Sequence, residues 1–237
     1  MAGPEVVDAR IVSVETLLDA GRPGDAHNPD VRSTIATTLA QQMHILVHRP
    51  ELVAAGRDAP AWCRYQGGPW PTPRDSFFDF RVTPDGWAWL DEAATEASQA
   101  VLRASVGDEK LAVAHADWYC GNLGFYGAQL VACADWDLVT DTVAVVAGLT
   151  AGFHSHGTTA GDEQAEPAEV ATFLSDFEQA YGARFYTRQQ RAAAAAATWS
   201  ICYAARCQLH TLDGEPQPGS PLAALRRHRT EYLKLHW

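Results

Sequence analysis

Residues 111–137 read LAVAHADWYCGNLGFYGAQLVACADWD, and the organisation of the chain turns on this stretch. The apolar run 111–114 has the length and composition of a buried strand. Polar residues with Gly121 then make a loop that carries Asp117 and Asn122. Two further short runs, 123–126 and 129–134, meet at Gly127-Ala128 and read as a hairpin. Its far end returns Asp135, Trp136 and Asp137 to the loop where it began. His115, Asp117, Asn122 and Asp135 are therefore expected at one end of a strand and a hairpin.

These residue types suit phosphoryl transfer. That chemistry takes a carboxylate to orient and deprotonate an acceptor hydroxyl, and oxygen ligands to hold Mg²⁺ on the nucleotide phosphates. Asp117 can supply the first, and Asn122 with Asp135 the second. The competing reading makes all three ordinary loop polars that cap strand ends, the usual role of single Asp and Asn residues. Four such polar residues gathered in one strand–loop–hairpin setting weigh against it. Asp137 reads either as a second carboxylate at the metal or as a structural partner of the loop.

The order His115-Ala116-Asp117, Asn122 five positions after Asp117, then Asp135-Trp136-Asp137 resembles the catalytic loop and metal-binding segment of the aminoglycoside phosphotransferase family, itself similar to the protein kinases. The usual family wording is H-G-D-x-H-x-x-N followed by I-D-W-D or I-D-W-E. The resemblance implies Asp117 as catalytic base, Asn122 and Asp135 as Mg²⁺ ligands, and His115 as organiser of the loop. It also implies ATP as phosphoryl donor and a small-molecule hydroxyl as acceptor. Ala116 stands where Gly is usual and Tyr119-Cys120 where His-Pro is common. Both departures fall between the functional positions and bear on loop conformation. The implied fold is α+β and mainly helical: the large C-terminal lobe of a protein-kinase-like fold, with a small β-hairpin carrying catalytic loop 115–122 and metal-binding segment 135–137.

The remaining composition fits a single globular domain over residues 1–237, with 47% hydrophobic and 20% charged residues. No apolar run approaches the ~20 residues of a membrane span, and the N-terminus lacks a signal-peptide pattern, so a cytoplasmic protein is expected. Five cysteines without paired metal spacing suit reduced thiols. A formal charge of −11 repels polyphosphate backbones and argues against nucleic acid as a partner. The same charge is compatible with a cationic acceptor, although an acidic surface is also a common solubility device.

Before the motif, 9–18 reads as one strand, followed by a break at Gly21-Arg22-Pro23-Gly24. In family terms 1–24 resembles the last strand of a small lobe and the hinge after it. Asn28-Pro29 is a good helix start, with Val31, Ile35, Leu39, Met43 and Leu46 on its apolar face and His44 half-buried. Residues 49–86 read as irregular, with Trp62, Trp70, Phe77 and Phe78 as candidates to line an acceptor site. A helix over 90–106 leads into the motif strand, and Lys110 is a surface charge. After the motif, Asp141 is expected to cap an apolar helix, and His154-Ser155-His156 to be a loop pair. A stripe at Val170, Phe173, Leu174 and Phe177 ends at Gly182, Thr187 opens an alanine-rich helix, and Ser220-Pro221 opens the last.

No glycine-rich loop and no lysine precede Lys110 in this chain. It therefore reads as an isolated large lobe, with weak or no phosphotransferase activity by itself, and with self-association or a partner chain expected at the face where a small lobe would dock. Two alternatives stand beside the phosphotransferase: a non-catalytic, pseudokinase-like binding or regulatory protein, and a metal-dependent hydrolase using Asp117, Asp135 and Asp137.

Overall fold

The computed structural model describes residues 2–7, 10–14, 20–71, 78, 80–105, 110–157 and 163–237, and it is α+β and mainly helical. The strands are β1 (Ala2–Val7), β2 (Arg10–Val14), β3 (Arg22–Pro23), β4 (Leu111–His115), β5 (Leu123–Tyr126), β6 (Gln129–Cys133) and β7 (Leu138–Thr142). The helices are α1 (Pro29–Leu46), α2 (Pro50–Ala55), α3 (Ala88–Ala104), α4 (Val143–Phe153), α5 (Pro167–Tyr181), α6 (Thr187–Gln208) and α7 (Pro221–Leu233).

Local chemistry fixes where the helices begin. The Asn28 side chain accepts the Asp30 N–H at 2.9 Å ahead of Pro29, so α1 starts with a satisfied donor and a ring whose φ is already helical. In α5, Glu166 and Glu169 satisfy each other's backbone donors as a capping box, and Gly182 ends the helix at φ 77°. Ser220 caps α7 by accepting the Ala223 N–H.

The core is a helical stack around α4. Its sequence, VAVVAGLTAGF, has no charged position, so the helix has no face that prefers water, and all eleven residues are buried. α6 lies against α3, α4 and α7. Its run Ala192–Ala197 is buried throughout and faces Gly148 and Gly152 of α4, which share one helix face by their spacing of four. The small residues let the two backbones approach closely. A methyl group added at Gly148 would stand 2.8 Å from Ala193 Cα and 2.9 Å from its carbonyl carbon; one added at Gly152 would strike Ser200 Oγ and the Ala197 carbonyl.

The strands of the described residues pair as small antiparallel sheets. β4 pairs with β7 from Leu111↔Thr142 to His115↔Leu138, placing the end of one strand beside the start of the other. β5 and β6 form the expected hairpin, extended by β3 through Arg22↔Phe125 and Pro23↔Gly124. β1 and β2 pair with each other.

Several expectations are corrected. The strand expected within 9–18 is β2, and a further strand precedes it, β1, whose Glu5, Val6 and Val7 find backbone partners in Val12, Ile11 and Arg10; residues 15–19 lie outside the described residues. The break at 21–24 contributes a strand, since Arg22-Pro23 runs beside β5. The irregular segment contains α2 and short 3-10 turns at Gly56–Asp58 and Ala61–Cys63, with Pro at the start of α2. Thr142 rather than Asp141 caps α4: its hydroxyl accepts the Val145 N–H, while Asp141 accepts the Tyr65 hydroxyl at 2.9 Å. His44 is exposed and stacks on Tyr181 at 4.5 Å. Leu46 is only partly buried, and Phe77 and Val106 lie outside the described residues. Among the described residues no helix is long and apolar enough to cross a membrane.

Gly148→Ala tests the seam. Alanine favours an isolated helix by about 1 kcal/mol over glycine, but here the methyl meets backbone atoms that cannot rotate away. The expected net cost is about 1–3 kcal/mol, read as a lower melting temperature; an unchanged or raised one contradicts the close approach of α4 and α6.

Candidate functional site

Antiparallel pairing of β4 and β7 delivers His115 and Leu138 opposite each other, so the residues just after β4 meet those just before β7. The Ala116 N–H donates to the Asp137 carbonyl at 2.8 Å and continues the ladder by one bond. The hairpin closes the third side, because the Ala134 N–H donates to the Asn122 carbonyl at 2.9 Å.

His115 joins these pieces from inside and is fully buried. Its Nδ1 accepts the Asp117 N–H at 3.0 Å, and its Nε2 donates to the Ala134 carbonyl at 2.9 Å. One nitrogen accepting and the other donating defines a neutral ring with its proton on Nε2. Burial pulls the imidazole below its ordinary value, while the Ala134 carbonyl and the nearby Asp135 and Asp137 charges pull the other way. The Trp136 ring covers the imidazole at 4.9 Å between centroids and is itself 57% exposed. Gln42 Oε1 of α1 accepts the His115 backbone N–H at 3.1 Å.

The loop between His115 and β5 is tied down at several points. The Trp118 indole N–H donates to the Ile35 carbonyl of α1, and the Cys120 N–H donates to the His154 carbonyl at the end of α4. Asn122 Nδ2 donates to both the carbonyl and the Oδ2 of Asp117, at 3.1 and 3.0 Å. That geometry commits the amide nitrogen to Asp117 and leaves Oδ1 as the atom of Asn122 able to serve as an oxygen ligand.

Asp117 is partly buried and has no cationic partner among the described residues. Loss of solvation raises its carboxyl to about 6, opposed by the Asn122 hydrogen bond and reinforced by Asp135 and Asp137. Asp135 and Asp137 are exposed, and Asp135 takes a left-handed backbone at φ 58°, a conformation that Asp tolerates better than most residues. The Asp137 N–H donates to the Asp135 carbonyl at 3.0 Å, which turns the chain tightly under Trp136.

Asp117 opens onto a cavity of about 1060 Å³. Trp62 and Phe78 line it; Trp70 instead is buried, its indole N–H donating to Asp91 at 2.7 Å. His154 and His156 do not act as a pair. His154 is buried against Phe173, and its Nδ1 lies 2.9 Å from the Ala151 carbonyl; His156 bonds Gln164 and borders the cavity. Among the described residues no three His, Cys, Asp or Glu side chains converge as a metal-holding group, so Asp117, Asp135 and Asp137 do not form a three-carboxylate cluster.

The structure thus brings His115, Asp117 and Asn122 into direct contact, sets Asp135 at the adjoining turn, and ties Asp137 to the loop through its backbone. Sequence reasoning passed over Gln42, although it follows Ile35 by seven residues and so lies close to the apolar face of α1. No protein-family model matches the chain, and no curated protein sequence is detectably similar to it.

Asp117 destabilises the native state at neutral pH. Its folded value of about 6 exceeds the ordinary 3.8, so the folded chain holds the proton more tightly than the unfolded chain. Stability accordingly falls as pH rises from about 4 to about 6 and stays lowered above it. Asp117→Asn removes the penalty and should raise stability by about 1–2 kcal/mol at pH 7.5, with the gain vanishing near pH 4. Denaturant unfolding at both pH values checks this; equal stability of the two proteins at pH 7.5 contradicts it.

Proposed function

We propose that this chain is a phosphotransferase of protein-kinase-like fold that moves the γ-phosphoryl group of ATP to a hydroxyl of a small molecule, with Asp117 as base. One observation carries the reading. A partly buried carboxylate without a cationic partner, held by the Asn122 amide and by a backbone pinned to His115, faces a large cavity. Such a group lowers native stability, and sites of chemistry are where that loss is ordinarily found.

The step is a direct displacement. The acceptor oxygen forms a bond to the γ-phosphorus, the anhydride bond to ADP breaks, and the hydroxyl proton passes to Asp117. Above about pH 6 Asp117 is ionised and able to take that proton; below it the carboxyl is protonated and cannot. His115 stays neutral and holds the Asp117 backbone without itself moving a proton.

Asn122 Oδ1 and the exposed Asp135 carboxylate would hold Mg²⁺. The excess of acidic groups and the absence of a nearby ion pair for Asp135 among the described residues suit a divalent cation. Two protein ligands, with phosphates and water completing the shell, are the usual arrangement for this ion on a nucleotide. When bound, the ion neutralises phosphate charge as the transfer proceeds. The hydrolase reading calls for carboxylates that converge and gives Asn122 no part, whereas phosphoryl transfer uses the Asn122–Asp117 contact directly.

No lysine of this chain lies near the site to clamp the β- and γ-phosphates, Lys110 standing over the Tyr181 ring at 5.4 Å. Turnover by these residues is therefore expected to be slow, by about 10³-fold or more against a site with that charge in place. We place the work in the cytosol, where ATP is abundant and the five free cysteines stay reduced.

Calorimetric titration with ATP and Mg²⁺ tests the reading. Binding should appear in the intact chain, weaken about tenfold or more in Asp135→Ala, and persist in Asp117→Asn, which keeps the ligands and removes the base. Any turnover should vanish in Asp117→Asn and fall with acid below about pH 6. A folded chain that binds no Mg²⁺·ATP, or binds it equally well in Asp135→Ala, contradicts the proposal and favours the non-catalytic reading.

A further inference from the structure

We propose that the cavity beside Asp117 takes an uncharged hydroxylated ring compound with one apolar face, in preference to an anion or a polycation. The proposal deepens the phosphotransfer reading, and rests on it for the choice of Asp117 as the point where the hydroxyl reacts.

Three features of the wall converge on this class. The first is aromatic surface: Trp62, Phe78, Tyr119, Phe153 and Tyr203 all border the space. These rings are braced by other rings, Tyr119 edge-on to Phe153 at 6.1 Å and Tyr203 against Phe80 at 5.6 Å, so their faces and edges are fixed before anything binds. Rigid rings offer apolar contact at little entropic cost.

The second feature is neutral polarity. Ser200, Gln208, Thr211, Gln217 and Ser220 border the same cavity, brought there by the second half of α6, the loop after it and the start of α7. Ser200 and Thr211 already donate to the Ala197 and Gln208 carbonyls and Gln208 Oε1 accepts the Leu222 N–H, so the Gln208 amide nitrogen remains as donor and the two hydroxyl oxygens as acceptors, which matches a ligand bearing several hydroxyl groups.

The third is charge. Asp117 and Glu163 are the carboxylates of the lining, and no Lys or Arg lines the cavity among the described residues. A phosphate or carboxylate entering this space would lose water beside two acidic groups and meet no Lys or Arg of the described lining, while the His156 ring that borders it is already engaged with Gln164 at 3.0 Å. A polycation would need one acidic partner for each amine it desolvates. Asp117 is committed to the hydroxyl, so Glu163 alone remains, and it is exposed at the rim. At about 1060 Å³ the cavity holds a ligand of two or three rings.

The test measures binding without nucleotide, by saturation-transfer NMR on the full chain, with three probes: phenyl β-glucoside, glucose 6-phosphate and the tetra-amine kanamycin. The glucoside is expected to bind with Kd on the order of 1 mM, and the other two much more weakly. Ala204→Trp places a large ring in the cavity from a partly exposed position of α6 and should weaken the glucoside by about tenfold or more. If that variant does not fold, Trp62→Leu, at a partly exposed indole, should weaken it by about threefold or more. Glu163→Gln should leave it within about twofold. Tighter binding of glucose 6-phosphate or kanamycin than of the glucoside overturns the proposal, and so does glucoside binding that is unchanged in the folded cavity variants. Because nucleotide is absent, failure to bind Mg²⁺·ATP overturns the phosphotransfer reading separately, and failure here with Mg²⁺·ATP binding intact overturns only the ligand class.

Discussion

One buried imidazole holds the candidate site together. His115 accepts the Asp117 N–H and donates to the Ala134 carbonyl, so a single ring spans the loop that carries the carboxylate and the hairpin end that carries Asp135. Neither segment reaches the other through a regular ladder alone, since Ala116 and Ala134 each supply one backbone bond. With burial keeping the ring neutral, the donor and acceptor roles of its two nitrogens are fixed, and with them the separation of the two acidic positions. Removing the ring would take from the Asp117 N–H and the Ala134 carbonyl two partly buried hydrogen bonds worth about 0.5–1.5 kcal/mol each.

The helical stack supplies the rigidity behind that ring. α1 reaches the site through Gln42 and through the Ile35 carbonyl, and α4 reaches it through the His154 carbonyl that accepts from Cys120. α4 is held by close backbone packing against α6, and α6 in turn furnishes Ser200, Tyr203 and Gln208 to the cavity wall. α4 thus holds the Asp117 loop from behind, while α6 packed on it shapes the space in front of Asp117. A single close-packed seam links stability to the geometry of the proposed chemistry.

The sequence is legible where the chemistry is local. Asn28-Pro29, Ser220-Pro221 and Gly182 mark helix ends because caps and backbone freedom depend on a few neighbouring residues. The strand, loop and hairpin around Asp117 and Asn122 were likewise legible from their own residues. Roles that depend on distant partners are not. Asp141 looked like a cap, yet the Tyr65 hydroxyl claims one of its oxygens and Thr142 caps instead. The alanine run of α6 reads as helix propensity, and its use as a close-packed seam depends on Gly148 and Gly152, some forty residues earlier. The cavity wall draws on Trp62, Phe78, Phe153 and Tyr203, whose convergence no local pattern encodes.

The central claim is that the fold holds the Asp117 carboxylate partly out of water, without a cation, so that it works as a base near neutral pH. The most direct measurement is a ¹³C NMR titration of the Asp117 side-chain carboxyl in the intact chain, followed from pH 3 to pH 8. A midpoint near 6 is the predicted result. A midpoint near the ordinary 3.8 would mean that the carboxylate is fully solvated or paired, and would contradict the assignment of Asp117 as a tuned base.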